Sequence, residues 1–268
     1  MYKILINNFP YVSDSLDAFI KSAKMLGKNE IEFYGCSPHL YLYDCDIDRI
    51  KGIKQKLDDA KLKVVVFTPE QWDYQMSLAL DEPKVRERSL DYYKRAIEAA
   101  NILGAQYVSL IAGYGYLNGD RTDDYKRFVD GINILLEVAE KNNVTLLLEN
   151  DIESCVNCTK ELLKVMTDIN NDRLKLLMNV NELGRCEGNI IGAYIKLKNY
   201  IRFIHISDSD SDNKKLIPGD GQLNLKPFIN AVKDDNYDGY IAADLRGYKY
   251  MGNPEEATAK SLQFLMEE

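Results

Sequence analysis

The chain has 268 residues, enough for one large domain or two small ones, and 34 Lys and Arg against 42 Asp and Glu leave a net charge of −8. That balance, with no basic run interleaved with aromatics, argues against a nucleic-acid partner, whose phosphates need Lys and Arg. Hydrophobic residues make up 46% of the chain, enough for a sizeable core, but no run of about 18 apolar residues offers a membrane span.

The N-terminal segment lacks a basic n-region and a small-residue cleavage site, so its apolar run at 3–7 reads as a strand and not as a signal peptide. The expected compartment is the cytoplasm. Further β-branched or aliphatic runs follow at 30–34, 63–67, 106–111, 144–149, 174–179, 201–206 and 239–244. Each is followed by a helical period. At 87–103, Leu90, Tyr93, Ile97 and Ala100 share one face. At 122–142, Phe128, Ile132, Leu135, Leu136 and Ala139 do the same. The last helix, 254–267, opens on Pro254, which suits a first helical turn, and turns Ala257, Leu262 and Leu265 inward.

Eight strands alternating with eight helices fit either a doubly wound sheet or a closed barrel. The strands are continuous apolar runs, as in parallel sheets covered on both faces. The count of eight and a length near the usual ~250 residues favour a single (β/α)8 TIM barrel over residues 1–268. No glycine-rich nucleotide signature follows any strand, and no linker divides the chain. Five cysteines make a disulfide framework unlike this chain, and the lone C-x-x-C of Cys155 and Cys158 lacks two further zinc ligands. It reads as two reduced cysteines at a helix start.

Active sites of such barrels lie at the C-terminal ends of the strands. Strand five ends in Glu149, strand six in Asn179, strand seven in His205 and strand eight in Asp244. A polar terminus after a buried apolar run needs a partner, and a cation between the four would supply one. Three oxygen donors and one imidazole suit one divalent metal of the Mn, Mg or Co type. The bland alternative is four polar caps hydrogen-bonded to loops. Side chains alternate along a strand, so Arg246 faces the same side as Asp244 if the strand continues. Its guanidinium can then pair with Asp244 or Glu149 in place of a metal, or else lie in solvent.

LLLEN, IHISD, IPGDG and YDGYIAADL together resemble the sugar isomerase/epimerase branch of the xylose-isomerase-like barrels, over essentially the whole chain. EFYGCSPH, TPE, ERSLDYYKRAIEAA, HISDSD and MGNP are similar to the fructoselysine 3-epimerase group within that branch. The resemblance implies one divalent metal, held on strands five to eight by Glu, Asp, His and a second Glu. The metal holds two neighbouring oxygens of a ketose, and the two glutamates move a proton at the carbon beside the carbonyl through an enediolate. Glu149 and His205 match that pattern. Asn179 falls where the family has Asp, and Asp244 where it has the second Glu.

Those departures remove one charge and shorten one ligand, so a metal is expected to bind weakly or not at all. Glu149 and Asp244 are the catalytic candidates. His39, Glu70, Trp72, Glu182 and Arg246 are candidate contacts for a small-molecule sugar, with Tyr114 and Tyr116 as weaker ones. The leading reading is a metal-dependent sugar epimerase or isomerase. The alternative is a weakly metal-binding or metal-free relative that binds a sugar-like ligand without turnover. A nuclease with several zinc ions is disfavoured by two histidines and a charge of −8. Assembly into a homo-oligomer stays open.

Overall fold

The inner faces of the strands explain the architecture. Leu5, Val66, Leu147, Leu177, Phe203 and Ala242 come from different strands yet pack into one buried cluster. Only a sheet rolled on itself brings them together. The computed structural model describes residues 2–74, 76–246 and 248–267. Among them, β1 (Lys3–Asn7), β2 (Glu30–Gly35), β3 (Lys63–Pro69), β4 (Tyr107–Ile111), β5 (Thr145–Glu149), β6 (Leu174–Asn179), β7 (Ile201–Ile206) and β8 (Tyr240–Ala243) close a parallel barrel in sequence order. Closure is made by β1 on β8, where Leu5 faces Ala242.

The outer strand faces carry a second and larger core against the helices. These are α1 (Leu16–Met25), α2 (Ile47–Asp59), α3 (Pro83–Leu103), α4 (Arg121–Lys141), α5 (Thr159–Ile169), α6 (Val180–Glu187), α7 (Ile190–Leu197), α8 (Leu225–Asp234) and α9 (Pro254–Glu267). The pattern of one helix per strand fails after β6. Gly188, at φ +74°, ends α6, and the side chain of Asn189 caps α7 by accepting the Gly192 N–H at 2.9 Å. A residue with a Cβ resists that backbone, so two short helices stand where one was expected. No helix among the described residues is long and apolar enough to cross a membrane.

Period-two alternation places the site. Two residues beyond the apolar cluster, the same inner face carries Asn7, Thr68, Glu149, Asn179, His205 and Asp244, with Glu32 from β2, and all are buried. Asp244 lies one residue past β8, but its N–H still donates to Ile206 O at 2.8 Å, so the ladder holds it in line. The barrel interior therefore changes from oil to paired polar groups at its C-terminal end.

Candidate active site

Buried polar groups need partners, and here the partners are one another. Asn179 donates from Nδ2 to Glu149 Oε1 at 2.7 Å and to Asp244 Oδ2 at 3.0 Å. Its Oδ1 accepts the Glu182 N–H at 3.3 Å and caps α6. His205 shares Nδ1 with Glu149 Oε1 at 3.3 Å and Nε2 with both Glu32 oxygens at 3.0 and 3.1 Å. Glu32 also accepts Thr68 Oγ1 and Asn7 Nδ2. Burial alone would lower the pKa of His205, but Glu32 and Glu149 outweigh it and raise it to about 10.

Two cations close this set from above. Arg246 is bidentate on Asp244, Nε to Oδ1 at 2.7 Å and Nη2 to Oδ2 at 2.9 Å, and Nη2 lies 3.4 Å from Glu149 Oε1. Its guanidinium sits 3.5 Å from the centroid of the Trp72 ring. Lys215 bridges Asp244 Oδ2 at 2.6 Å and Glu182 Oε1 at 2.9 Å. Burial pushes the Asp244 and Glu149 carboxyls up, but Arg246, with Lys215 at Asp244 and His205 at both, holds them below the usual carboxylate range. Among the described residues, Glu149 Oε2 is a buried oxygen without a hydrogen-bond partner.

Lys215 reaches the site through a braced loop. Asp208, just after β7, accepts the N–H groups of Ser209, Gly219 and Leu223 at 2.9, 3.0 and 2.9 Å, and pairs with Leu216 as an antiparallel bridge. A Cβ on Gly221 would stand 2.3 Å from Asp208 Oδ1, so only glycine lets the loop close. Lys215 itself has φ +59°. For a residue with a Cβ that costs about 1–2 kcal/mol. The other non-glycine residues with positive φ among those described, Lys61, Asn143, Asn170 and Asn236, each lie at the end of a helix.

Above the cations opens a cavity of about 840 Å³ at the C-terminal mouth. Phe9, Tyr34 and Trp72 wall it, and Glu70, Asp151, Glu182, Lys215 and Arg246 face it. Glu70 accepts the N–H groups of Trp72 and Asp73 at 2.6 and 2.8 Å and the Tyr34 hydroxyl. Trp72 Nε1 donates to Asp151 Oδ2 at 3.2 Å. Burial raises the pKa of both Glu70 and Asp151.

Glu149, Asn179, His205 and Asp244 thus meet at one point, and Glu70, Trp72, Glu182 and Arg246 line the cavity over it. His39 lies apart from them. It is not among the cavity-lining residues, because the β1–α1 loop captures it: Nδ1 pairs with Asn8 Nδ2 at 2.8 Å and Nε2 with Asp14 O at 3.0 Å. It lies instead at a separate surface hollow with Ser15, Arg49 and Lys56. Tyr114 and Tyr116 also miss the cavity, and Tyr116 is half exposed. Cys155 and Cys158 are free thiols, with Cys158 at the N-cap of α5.

Sequence reasoning missed Glu32, Asn7 and Lys215. Asn7 ends its strand as Glu149 and Asn179 do, and Glu32 is a charge between Ile31 and Phe33 on a buried strand, so both carried a readable signal. Nothing in DNKKLIPG distinguishes Lys215 from Lys214.

Glu149, His205 and Asp244 each offer one ligand atom, all within 4.8 Å of one another, a set that could hold a metal ion. Residues 20–268 match the family described as xylose isomerase-like TIM barrel, and the chain belongs to that family. It is 28% identical over 248 residues to fructoselysine 3-epimerase of Shigella flexneri, covering 91% of this chain and 89% of that protein. Its fold is similar to the apo form of 3-keto-D-glucoside 4-epimerase from E. coli, with a TM-score of 0.81 at 18% identity and full coverage of both chains. It is also similar to the IOLI protein with a binding zinc atom, with a TM-score of 0.82 at 18% identity, over 99% of this chain and 97% of that one.

Proposed function

We propose that the protein is a sugar epimerase or isomerase acting on a ketose or ketose conjugate by proton transfer at the carbon beside the carbonyl. The observation that carries this reading is the sugar-sized cavity whose floor sets Arg246 and Lys215 directly over the Glu149 and Asp244 carboxylates. A proton beside a carbonyl leaves only if the oxygen that gains charge is stabilised, and buried N–H donors aimed at that oxygen do so. Trp72, partly exposed at the cavity wall, offers a flat apolar surface to a sugar ring. Glu149, with Oε2 free to accept a proton, and Asp244 are the carboxylates assigned to move it. Both lie directly beneath Arg246.

The family resemblance brings a divalent ion, which the donor set as folded does not fit. Both Asp244 oxygens are taken by cations, and Asn179 presents its NH2 group, not a carbonyl, to the carboxylates. A divalent ion ~4 Å from one fixed cation meets a repulsion of about 8 kcal/mol at an effective dielectric of 20. Two such cations match the whole binding free energy of a structural zinc, about 10–16 kcal/mol. No step of the proposed reaction is routed through a metal.

The sealing of Glu149 and Asp244 beneath Arg246 favours one second reading, a metal-free relative that binds a sugar-like ligand without turnover. Incubation with a panel of ketoses in D2O separates the two. Exchange at the carbon beside the carbonyl, lost in a folded Glu149→Gln variant, is the result expected of the enzyme. Quenching of Trp72 fluorescence by a ketose with no exchange would establish the second reading.

A further inference from the structure

We propose that Arg246 and Lys215 together occupy the place of the divalent cation, so that the substrate's neighbouring oxygens are held by guanidinium and ammonium N–H groups. The substrate half of this statement rests on the function proposed above. The charge half stands on the site alone.

Four observations converge. The two carboxylates at the floor, Glu149 and Asp244, are balanced by two unit charges, and all of them are nearly excluded from water: the carboxylates are 1% and 0% exposed and each cation 14%. Both cations also line the cavity, so each has one side on the carboxylates and one side toward a ligand. A metal in a sugar site has the same two-sided disposition. Arg246 is fixed on three sides, by the bidentate pair with Asp244, by Glu149 and by the Trp72 ring. Lys215 is held by backbone in the left-handed region and by the loop that Asp208 braces. A lysine free to point into solvent would need neither.

Asn179 completes the case. A carboxylate there would put a third negative charge against Glu149 and Asp244, while the remaining cation, His205, is already engaged by Glu32. The neutral amide instead donates to both. Asn179, Arg246 and Lys215 then belong together: a site with fixed cations has no use for an extra anionic ligand.

The test reads metal binding without any sugar, so its outcome is independent of whether the proposed reaction occurs. Chelator-treated wild-type protein and the Arg246→Ala/Lys215→Ala double variant are titrated with Mn2+ and with Zn2+ by calorimetry, with Tm measured alongside. Wild type is expected to show no saturable binding and no Tm shift at millimolar metal. The double variant should bind roughly a thousandfold tighter, even counting the repulsion only at the dielectric of bulk water. If the double variant does not fold, Lys215→Met keeps the stem and should gain roughly thirtyfold. Tight binding of either ion by wild type would overturn the proposal. So would an absence of binding in both wild type and the folded variant, since the cations would then not be what fills the place.

Discussion

Asp244→Asn removes the charge on which both floor cations rest while keeping the shape of the side chain. Asp244 is fully buried and accepts four hydrogen bonds, two from Arg246, one from Lys215 and one from Asn179. An amide in its place accepts through one atom only and turns an NH2 group toward other donors. Charge-assisted bonds of this kind are worth about 1.5–3 kcal/mol each. They share two oxygens, so they do not add, and the better guide is the cost of breaking a buried pair, about 3–5 kcal/mol. Both cations are only 14% exposed, so little of this is recovered by solvent. At this chain size the loss lowers Tm by about 6–20 °C. Urea denaturation can be followed through Trp72, the single tryptophan, which stacks on Arg246. Adding Arg246→Met should return part of the loss, because the guanidinium left unpaired is then gone. A loss under about 1 kcal/mol, or strict additivity in the double variant, would refute the claim that the pair is a buried, mutually dependent unit.

Two further outcomes follow from the same geometry. His205 has its pKa raised to about 10 from the unfolded value of 6.5, so its contribution is complete below pH 6.5 and is lost as pH rises through 10. Wild-type stability should therefore fall across that window by up to about 1.4 kcal/mol per pH unit, and His205→Gln should flatten the slope. Equal slopes in the two proteins would exclude the His205–Glu32 pairing as its source. Gly188→Ala meets no atom within 4 Å but forces φ +74° on a residue with a Cβ, and should cost about 1–2 kcal/mol in a thermal melt. A neutral result there would mean the break between α6 and α7 does not depend on glycine.

The barrel was legible because its strands are buried on both faces and so read as unbroken apolar runs. Residues 3–7, 174–179 and 201–206 have the limits of β1, β6 and β7. The two helices after β6 were not separated, although Gly188 as a helix stop and Asn189 as an N-cap are signals that residue type carries. The strand-end rule brought Glu149, Asn179, His205 and Asp244 to one point because parallel strands in register end at one level: Asn179 faces His205 across β6 and β7. Applied only to the second half of the barrel, the same rule passed over Asn7, whereas Glu32 lies mid-strand in β2, where no strand-end rule reaches. Lys215 was out of reach for a different reason. Its position depends on a bridge to Asp208 and on a positive φ, and neither is written in residue type. His39 misled because a histidine after a strand end looks like a ligand contact, whereas its two nitrogens satisfy Asn8 and the Asp14 carbonyl.

Arg246 and Lys215, and not a divalent ion, are proposed to balance the carboxylates at the barrel mouth. A crystal grown with Mn2+ and measured at a wavelength where manganese scatters anomalously tests it directly. No anomalous peak is expected between Glu149, His205 and Asp244, with the Arg246 guanidinium bidentate on Asp244 and stacked on Trp72. A peak at that point, with Arg246 swung away from both carboxylates, would contradict it.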